Sequence, residues 1–125
     1  MIRINFSADN TGPCQTDTDS SLTCEGLAPS ISMILYVDYT KGTESGINLT
    51  IDLWDTELGK WFPLQQFNGE TVDVVVFHLT SSGKYRIPVP TGANEEKMRV
   101  NISYDGTPSA DSNVDVVVKP EAINM

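Results

Sequence analysis

Two alternating apolar runs, residues 31–40 and 47–54, most constrain what this chain can fold into. The apolar residues at every second position are Ile31, Met33, Leu35, Val37 and Tyr39 in the first run and Ile47, Leu49, Ile51 and Leu53 in the second. Because the side chains of a strand point alternately to its two faces, each run predicts a strand with one apolar face. The connecting residues 41–46 are rich in turn formers but long for a tight hairpin. The pattern favours an antiparallel β architecture with one side of each sheet facing water.

The rest of the chain continues as short extended segments separated by turns. We expect an all-β fold, a single antiparallel β-sandwich of about seven to nine short strands over residues 1–125, either immunoglobulin-like or a jelly roll. Pro63 and the prolines of residues 85–90 predict edge strands, because proline cannot donate to a ladder. Residues 7–30 have no periodicity, and we expect them to form a long polar loop.

The phase of each predicted strand also gives a set of core side chains. These are Ile31, Met33, Leu35, Val37, Leu49, Ile51, Leu53, Val74, Val76, Val100, Ile102 and Val116. Residues 72–80 are apolar on both faces in their middle, which predicts a strand that is covered on both sides.

The balance of charge excludes some classes of partner. The chain has 8 Lys and Arg against 17 Asp and Glu, which gives a net charge of −9. Nucleic-acid grooves and anionic membrane surfaces both need clustered cations, so we expect neither as a partner. No apolar stretch approaches the ~20 residues of a membrane span. No secretory signal is visible at the N-terminus.

Cys14 and Cys24 are the two cysteines of the chain. Their spacing matches no zinc pattern, which would need four ligands in closer pairs. A disulfide between them would close a local loop in an oxidising environment. With no secretory signal visible, two reduced thiols are favoured during synthesis, and oxidation after release from the host stays open.

No pattern in the sequence points to catalysis, and we expect that the protein is not an enzyme. His78 is the only histidine, and no Ser, Cys or Asp is placed by sequence to complete a triad with it. The aspartates that could supply oxygens to calcium are Asp9, Asp17 and Asp19 in one group and Asp105, Asp111 and Asp115 in another. Neither group has the spacing of an EF-hand, and Asp is also common in turns. We expect no cofactor, while calcium binding stays open.

Four aromatic residues are the best candidates for an interaction surface: Tyr36, Trp54, Trp61 and Phe62. The first two fall on the less apolar phase of their strands, and the other two adjoin an edge. Aromatic side chains on the outer face of a sandwich form a protein interface or a platform for sugars. The alternative is that one or two of them cap the core.

Several local motifs resemble those of a known group of proteins. Within Tyr39–Glu44, a strand ending Tyr-Thr-Lys-Gly leads into a polar acidic turn, and a second alternating strand follows. The others are a turn from Trp54 to Trp61, the strand Tyr-Arg-Ile-Pro-Val-Pro at 85–90, and Met-Arg-Val at 98–100. Together these resemble small virion proteins of tailed bacteriophages, over about residues 30–104. The resemblance implies a β-sandwich component of the virion that is made in the host cytoplasm.

From this resemblance we hypothesise a capsid decoration (cement) protein on the outer head surface. Its partners would be the major capsid protein or other virion proteins, and the chain would act as a homo-oligomer. Added contact area across capsomer junctions would stabilise the assembled shell. A neck or tail subunit of a phage is one alternative. A carbohydrate-binding module that uses Trp54, Trp61 and Tyr36 is an alternative from another class.

Overall fold

The protein is built from β-strands. A computed structural model describes residues 1–6, 13–16, 21–27, 32–90 and 97–120. Its strands are β1 (Ile2–Phe6), β2 (Pro13–Thr16), β3 (Leu22–Leu27), β4 (Ser32–Thr40), β5 (Gly46–Asp55), β6 (Lys60–Pro63), β7 (Gln65–Phe67), β8 (Val72–Val74), β9 (Phe77–Leu79), β10 (Gly83–Pro90), β11 (Lys97–Asp105) and β12 (Asn113–Pro120). None of the described residues is helical, so the expected all-β class is confirmed.

Two sheets enclose one hydrophobic core. The first sheet has the strand order β10-β4-β12-β1-β2. The second has the order β3-β11-β5-β6, and β9 also pairs with β5. Apolar side chains of both sheets, such as Leu35 from the first and Ile102 from the second, belong to the same buried cluster. β7 and β8 form a separate two-stranded hairpin.

The strand order is that of a jelly roll. From β2 to β5, and again from β9 to β12, the chain changes sheet at every step. β6 and β9 pair with different parts of β5 on the same side, because β11 occupies its other side. The two short strands therefore share one strand position at the edge of the second sheet. Each sheet then has four positions, with β1 added beside β12, as in a double Greek key. In an immunoglobulin fold the last two strands are sheet neighbours, whereas β11 and β12 lie in different sheets.

Two pairings differ from the simplest expectation. The two alternating runs do not form a hairpin, because β4 lies in the first sheet and β5 in the second. The connection between them crosses the sandwich, which explains why it is too long for a tight turn. β1 pairs with β12 in parallel, although the other strand pairs of the described residues are antiparallel.

Most of the predicted core is buried. The predicted core residues that the structure buries are Met33, Leu35, Val37, Leu49, Ile51, Val100, Ile102 and Val116. Leu53 is half-buried and packs against the core, and Ile31 lies outside the described residues. The phases predicted for β4, β5, β11 and β12 are therefore confirmed.

The prediction for residues 72–80 is wrong. Val74 and Val76 are 45% and 49% exposed rather than buried. The segment divides into β8 and β9, which belong to different sheets, and β8 pairs only with β7. None of the described residues forms a second layer over this two-stranded hairpin, so its apolar side chains stay exposed.

The long polar loop expected at residues 7–30 contains two strands. β2 pairs with β1, and β3 pairs with β11. Ladder hydrogen bonds to these neighbours hold segments that have no strong alternation of their own, since tertiary pairing overrides local propensity.

A disulfide joins Cys14 in β2 to Cys24 in β3, with Cα atoms 5.8 Å apart. The bridge named as an alternative from the sequence is present, and the expectation of two reduced thiols is corrected. β2 is an edge strand of the first sheet and β3 an edge strand of the second. Because these two edges meet, the cysteines come within bridging distance. The disulfide therefore links the two sheets along one side of the sandwich.

The opposite side of the sandwich has no such link. Its edge strands are β10 and the shared position of β6 and β9. These are the strands that contain Pro63, Pro88 and Pro90, so the edge positions predicted from proline are confirmed.

Candidate docking surfaces

The four aromatic residues predicted to form an interface do not lie on one surface. Tyr36 is on the outer face of the first sheet, where it pairs with Arg86. Trp54 and Trp61 are partners across β5 and β6, on the outer face of the second sheet. Phe62 is opposite Leu53, on the inward phase, but lies at the open edge and is exposed. The structure brings together only the two tryptophans.

The tryptophans form a compact cluster with two cations. Their ring centroids are 5.3 Å apart, and the ring planes are inclined by 65°. The Arg99 guanidinium lies 4.3 Å from the Trp61 ring centroid, and the Lys97 ammonium lies 5.6 Å from that of Trp54. Each indole is therefore in contact with a cation.

A polar network holds Arg99 in place. Its Nε and Nη2 atoms donate to Asp52 Oδ2 at 3.0 and 2.8 Å. Asn101 Nδ2 donates to the same oxygen at 3.0 Å, and Thr23 donates to Asn101 Oδ1 at 2.7 Å. These residues belong to adjacent strands and share the outer face. The network fixes the cation over Trp61.

The outer face of the first sheet is the basic side of an acidic protein. The Lys and Arg residues on the face are Arg3, Lys84, Arg86 and Lys119, half of the eight in the chain. Against these four, the described part of the face has two aspartates, Asp38 and Asp115. Cations from Arg86 and Lys119 lie 5.9 and 5.3 Å from the Tyr36 ring centroid. We call this surface the tyrosine face (Tyr36, Arg3, Lys84, Arg86, Lys119).

Exposed apolar side chains are concentrated in the segments that join and flank the strands of the open edge. Six of the seven large apolar side chains exposed in the described part of the chain are Leu58, Phe62, Phe67, Val72, Val74 and Val76; the seventh is Tyr36. Three of the six belong to the hairpin β7–β8 with its turn, which we call the arm (Gln65–Val74). Phe67 is opposite Val72, and Gln65 is opposite Val74, so these four side chains share one face of the arm.

The turn of the arm is well defined. Asn68 Oδ1 accepts hydrogen bonds from the backbone N–H groups of Glu70 and Thr71, both at 3.0 Å. Asn68 Nδ2 donates to Asp73 Oδ2 at 3.1 Å. Gly69 has a φ of 102°, a conformation that favours glycine. The apolar face of the arm is therefore held in place by its own turn.

The sequence analysis did not identify the arm as a surface. The missing signal was the pair of apolar residues that flank the turn, Phe67 and Val72. A pair directly opposite across a short turn indicates a local hairpin. Treating residues 72–80 as one strand concealed it.

A buried carboxylate fixes the connection between β4 and β5. Glu44 accepts hydrogen bonds from Tyr39 Oη at 3.1 Å and from Ser112 Oγ at 2.6 Å, and the Gly42 N–H donates to it at 2.8 Å. Burial acts to raise the pKa of Glu44, but the hydrogen bonds from Ser112, Gly42, its own backbone N–H and Tyr39 together outweigh it, so the pKa lies below its ordinary value. Burial, the hydrogen bond and the charge of Glu44 all raise the pKa of Tyr39.

This node explains part of the Tyr39–Glu44 motif, because three of its residues make the contacts. A Cβ added at Gly42 would meet the side chains of Ser109 and Ser112, so the close approach requires glycine. The hydroxyl of Tyr104 is also buried, and it has no hydrogen-bond partner among the described residues.

Other candidate residues occupy separate places. His78 is exposed, and its Nδ1 lies 2.7 Å from Asn48 Oδ1. Asp9, Asp17 and Asp19 lie outside the described residues. Within the described ranges, no three His, Cys, Asp or Glu side chains gather into a group that could hold a metal ion. The same ranges contain no helix long and apolar enough to cross a membrane.

The chain was compared with family models, curated proteins and solved structures, and none of them matches it. Its function is therefore inferred from the chemistry of its own surfaces and from the motif resemblance.

Proposed function

We propose that this protein is a structural component of a bacteriophage particle, a decoration protein that binds the outer surface of the head. The motifs at residues 39–44, 54–61 and 85–90 support the proposal through their resemblance to small virion proteins. A jelly roll is also a common architecture of viral capsid domains. Lectin domains also have jelly-roll folds, so the fold does not separate the two functions and the surface of the protein has to.

The observation that carries the proposal is the concentration of exposed apolar side chains within residues 58–76. Side chains of this size together expose on the order of 500 Å², less than the ~800 Å² of a standard partner surface. A contact of this size is weak alone. Repeated over a symmetric shell, it adds contact area at every copy and favours the assembled state by mass action.

The geometry is less favourable for a carbohydrate-binding module. Tyr36 lies on the other sheet from Trp54 and Trp61, so the three rings cannot form one platform. The tryptophan planes are inclined to each other, and each ring contacts a cation. A sugar would have to displace Lys97 or Arg99 from any face that it shared with them.

Binding to particles tests the proposal. Purified protein is added to phage heads that lack it, the heads are sedimented, and the bound copies are counted by quantitative mass spectrometry. We expect saturation at on the order of hundreds of copies per head, as the symmetry of a shell requires. About a dozen copies would instead assign the chain to the neck or tail. No binding to heads or tails, together with binding to glycans, would overturn the proposal.

The contribution of Trp61 and Phe62 to this binding stays a prediction. Changing both to Ala should weaken binding to heads by roughly 2–4 kcal/mol, since aromatic anchors dominate interface energy. Lys41→Ala is the control, because Lys41 is exposed on the β4–β5 connection and lies outside the apolar set at residues 58–76. Equal saturation curves for the double variant and the parent protein would show that the two aromatics serve the fold instead.

A further inference from the structure

We propose that the arm of one copy of this chain docks on the tyrosine face of a second copy. The inference deepens the proposed function, since it names an occupant for part of the same apolar surface. It can nevertheless be tested on purified protein alone.

The described residues leave the apolar face of the arm uncovered. Phe67 is 69% exposed and Val72 is 57% exposed. An isolated two-stranded hairpin is marginally stable in water unless its apolar face packs against another element. Since the Asn68 hydrogen bonds hold this hairpin in shape, its apolar face is already arranged for a partner, and little ordering entropy is lost on docking.

Charge complementarity selects the occupant. No Lys or Arg lies within residues 61–83, whereas Glu70 and Asp73 belong to the arm. Two arms brought together would therefore bring two negatively charged segments close to each other, which opposes pairing of like arms. The tyrosine face has the opposite balance, four Lys and Arg against two Asp among its described residues. It is the surface of this acidic chain to which an acidic arm is attracted.

The apolar part of the contact also has a counterpart. Tyr36 is 38% exposed at the centre of the tyrosine face, with Arg86 and Lys119 beside its ring. Phe67 and Val72 would meet this ring, while Glu70 in the turn of the arm would lie near the two cations; Asp73 is on the opposite face of the arm and adds only to its overall negative charge. An apolar centre with complementary charges around it is the usual arrangement of a protein interface.

The contact joins two different surfaces, the arm of one copy and the tyrosine face of the other, and this determines the symmetry of the assembly. Each copy has one arm and one tyrosine face, so the contact is heterologous and leaves a free half on both ends of a dimer. Heterologous contacts build closed rings when the rotation closes, and filaments when it does not. A ring would let each copy bury both surfaces.

Analytical ultracentrifugation of the purified chain tests this arrangement, over concentrations from about 10 µM to 1 mM. The arm variant is Phe67→Asp, and the face variant combines Arg86→Glu with Lys119→Glu. Each alone should weaken self-association about tenfold or more, because each removes one half of every contact. Higher salt should weaken association of the parent protein, as screening of complementary charges requires.

Mixing the two variants gives the sharpest result. The intact arm of the face variant can dock on the intact face of the arm variant, so the mixture should form heterodimers and stop there. An arm-to-arm contact predicts no such rescue. The matched controls are Thr56→Asp for the arm and the pair Lys41→Glu and Lys60→Glu for the face, which introduce the same number of charges at exposed positions elsewhere.

Three results would overturn the inference. The first is a parent protein that stays monomeric over the whole concentration range. The second is a face variant that associates as strongly as the parent, and the third is a mixture that gives no heterodimer although the parent associates. Head binding is scored separately: a chain that oligomerises but never binds heads or tails contradicts the virion role and leaves the self-association intact.

Discussion

The sandwich core and the arm contain the same kinds of side chain in opposite surroundings. Phe6 and Val116 are buried between the sheets, whereas Phe67 and Val72 face solvent. Both regions are β-structure with opposed apolar pairs. The difference is the second layer: the inner face of each sheet is covered by the other sheet, and the arm is covered by nothing in the described part of the chain.

This comparison separates side chains that hold the fold from side chains that are available to a partner. Burying a Val or Phe side chain contributes about 1.5–3 kcal/mol. The core residues obtain that contribution within one chain, and those of the arm obtain it only when a partner covers them. Substitutions in the two regions should therefore change different measurements.

The largest expected effect comes from replacing an apolar residue by Asp in the core, compared with the same kind of change on the arm. Ile51→Asp should abolish cooperative folding, because it places an unpaired carboxylate at a fully buried site. Val74→Asp puts the same group on the exposed arm and should leave the melting temperature within a few degrees of the parent. Thermal unfolding followed by circular dichroism checks both. A folded Ile51→Asp variant would contradict the sandwich phase assigned to β5.

Reduction of the disulfide should have the next largest effect. The bridge spans a sequence separation of 10 residues. Closing a loop of this length is worth about 3 kcal/mol in the chain-entropy model. We expect the Cys14→Ser variant to remain folded but to unfold at lower denaturant concentration than the oxidised parent, since the core does not depend on the bridge. If that variant cannot be obtained folded, the core is weaker than its burial indicates.

Replacing Glu44 by Gln should cost less, about 1–3 kcal/mol, because one of the groups that donate to the carboxylate loses its acceptor. The pKa of Glu44 is lower in the folded state than its ordinary value of 4.5. Its contribution is therefore fully present above that value and is lost as the pH falls through the folded pKa. The difference in unfolding free energy between parent and Glu44→Gln should shrink below about pH 4. Denaturant titrations at pH 7 and pH 3 measure it, and a difference that does not depend on pH would exclude this role.

The smallest effect on folding is expected at the arm. Phe67→Ala should change the free energy of unfolding by less than about 0.5 kcal/mol, since most of the side chain is already in water. Phe6→Ala, the same substitution at a buried site, should cost about 3–5 kcal/mol. Comparing the two by urea denaturation tests the distinction directly. Similar losses at the two sites would mean that the arm is part of the folding core.

The sequence was sufficient for much of the sandwich. Alternation in β4, β5 and β11 set which side chains face inward, since a slip of one residue would turn them all outward. Pro63, Pro88 and Pro90 located edge strands because proline lacks the N–H that an inner strand needs. These inferences depend on the backbone geometry of one strand, which can be predicted from the residues of that strand alone.

What could not be predicted depends on residues that are distant in the chain. The Glu44 node requires Ser112, which reaches it only after the jelly roll has closed. Val74 is exposed because none of the described strands packs over β7 and β8. The residues around Val74 in the sequence do not show this. For the same reason, alternation placed Tyr36 and Trp54 outward but could not show that they lie on opposite sheets.

The shared strand position of β6 and β9 makes the arm an insertion rather than a structural link. Both strands pair with β5, so the chain leaves and rejoins the same edge of the second sheet around residues 64–76. The backbone N–H of Val75 donates to Leu64 O at 2.9 Å, which holds the two ends of the excursion together. The ends stay fixed whatever lies between them, and a longer loop adds only about 0.6 kcal/mol per doubling of its length. The tip of the arm is thus a place where a foreign peptide could be displayed on a stable scaffold, with its spacing from the sandwich set by the number of residues added.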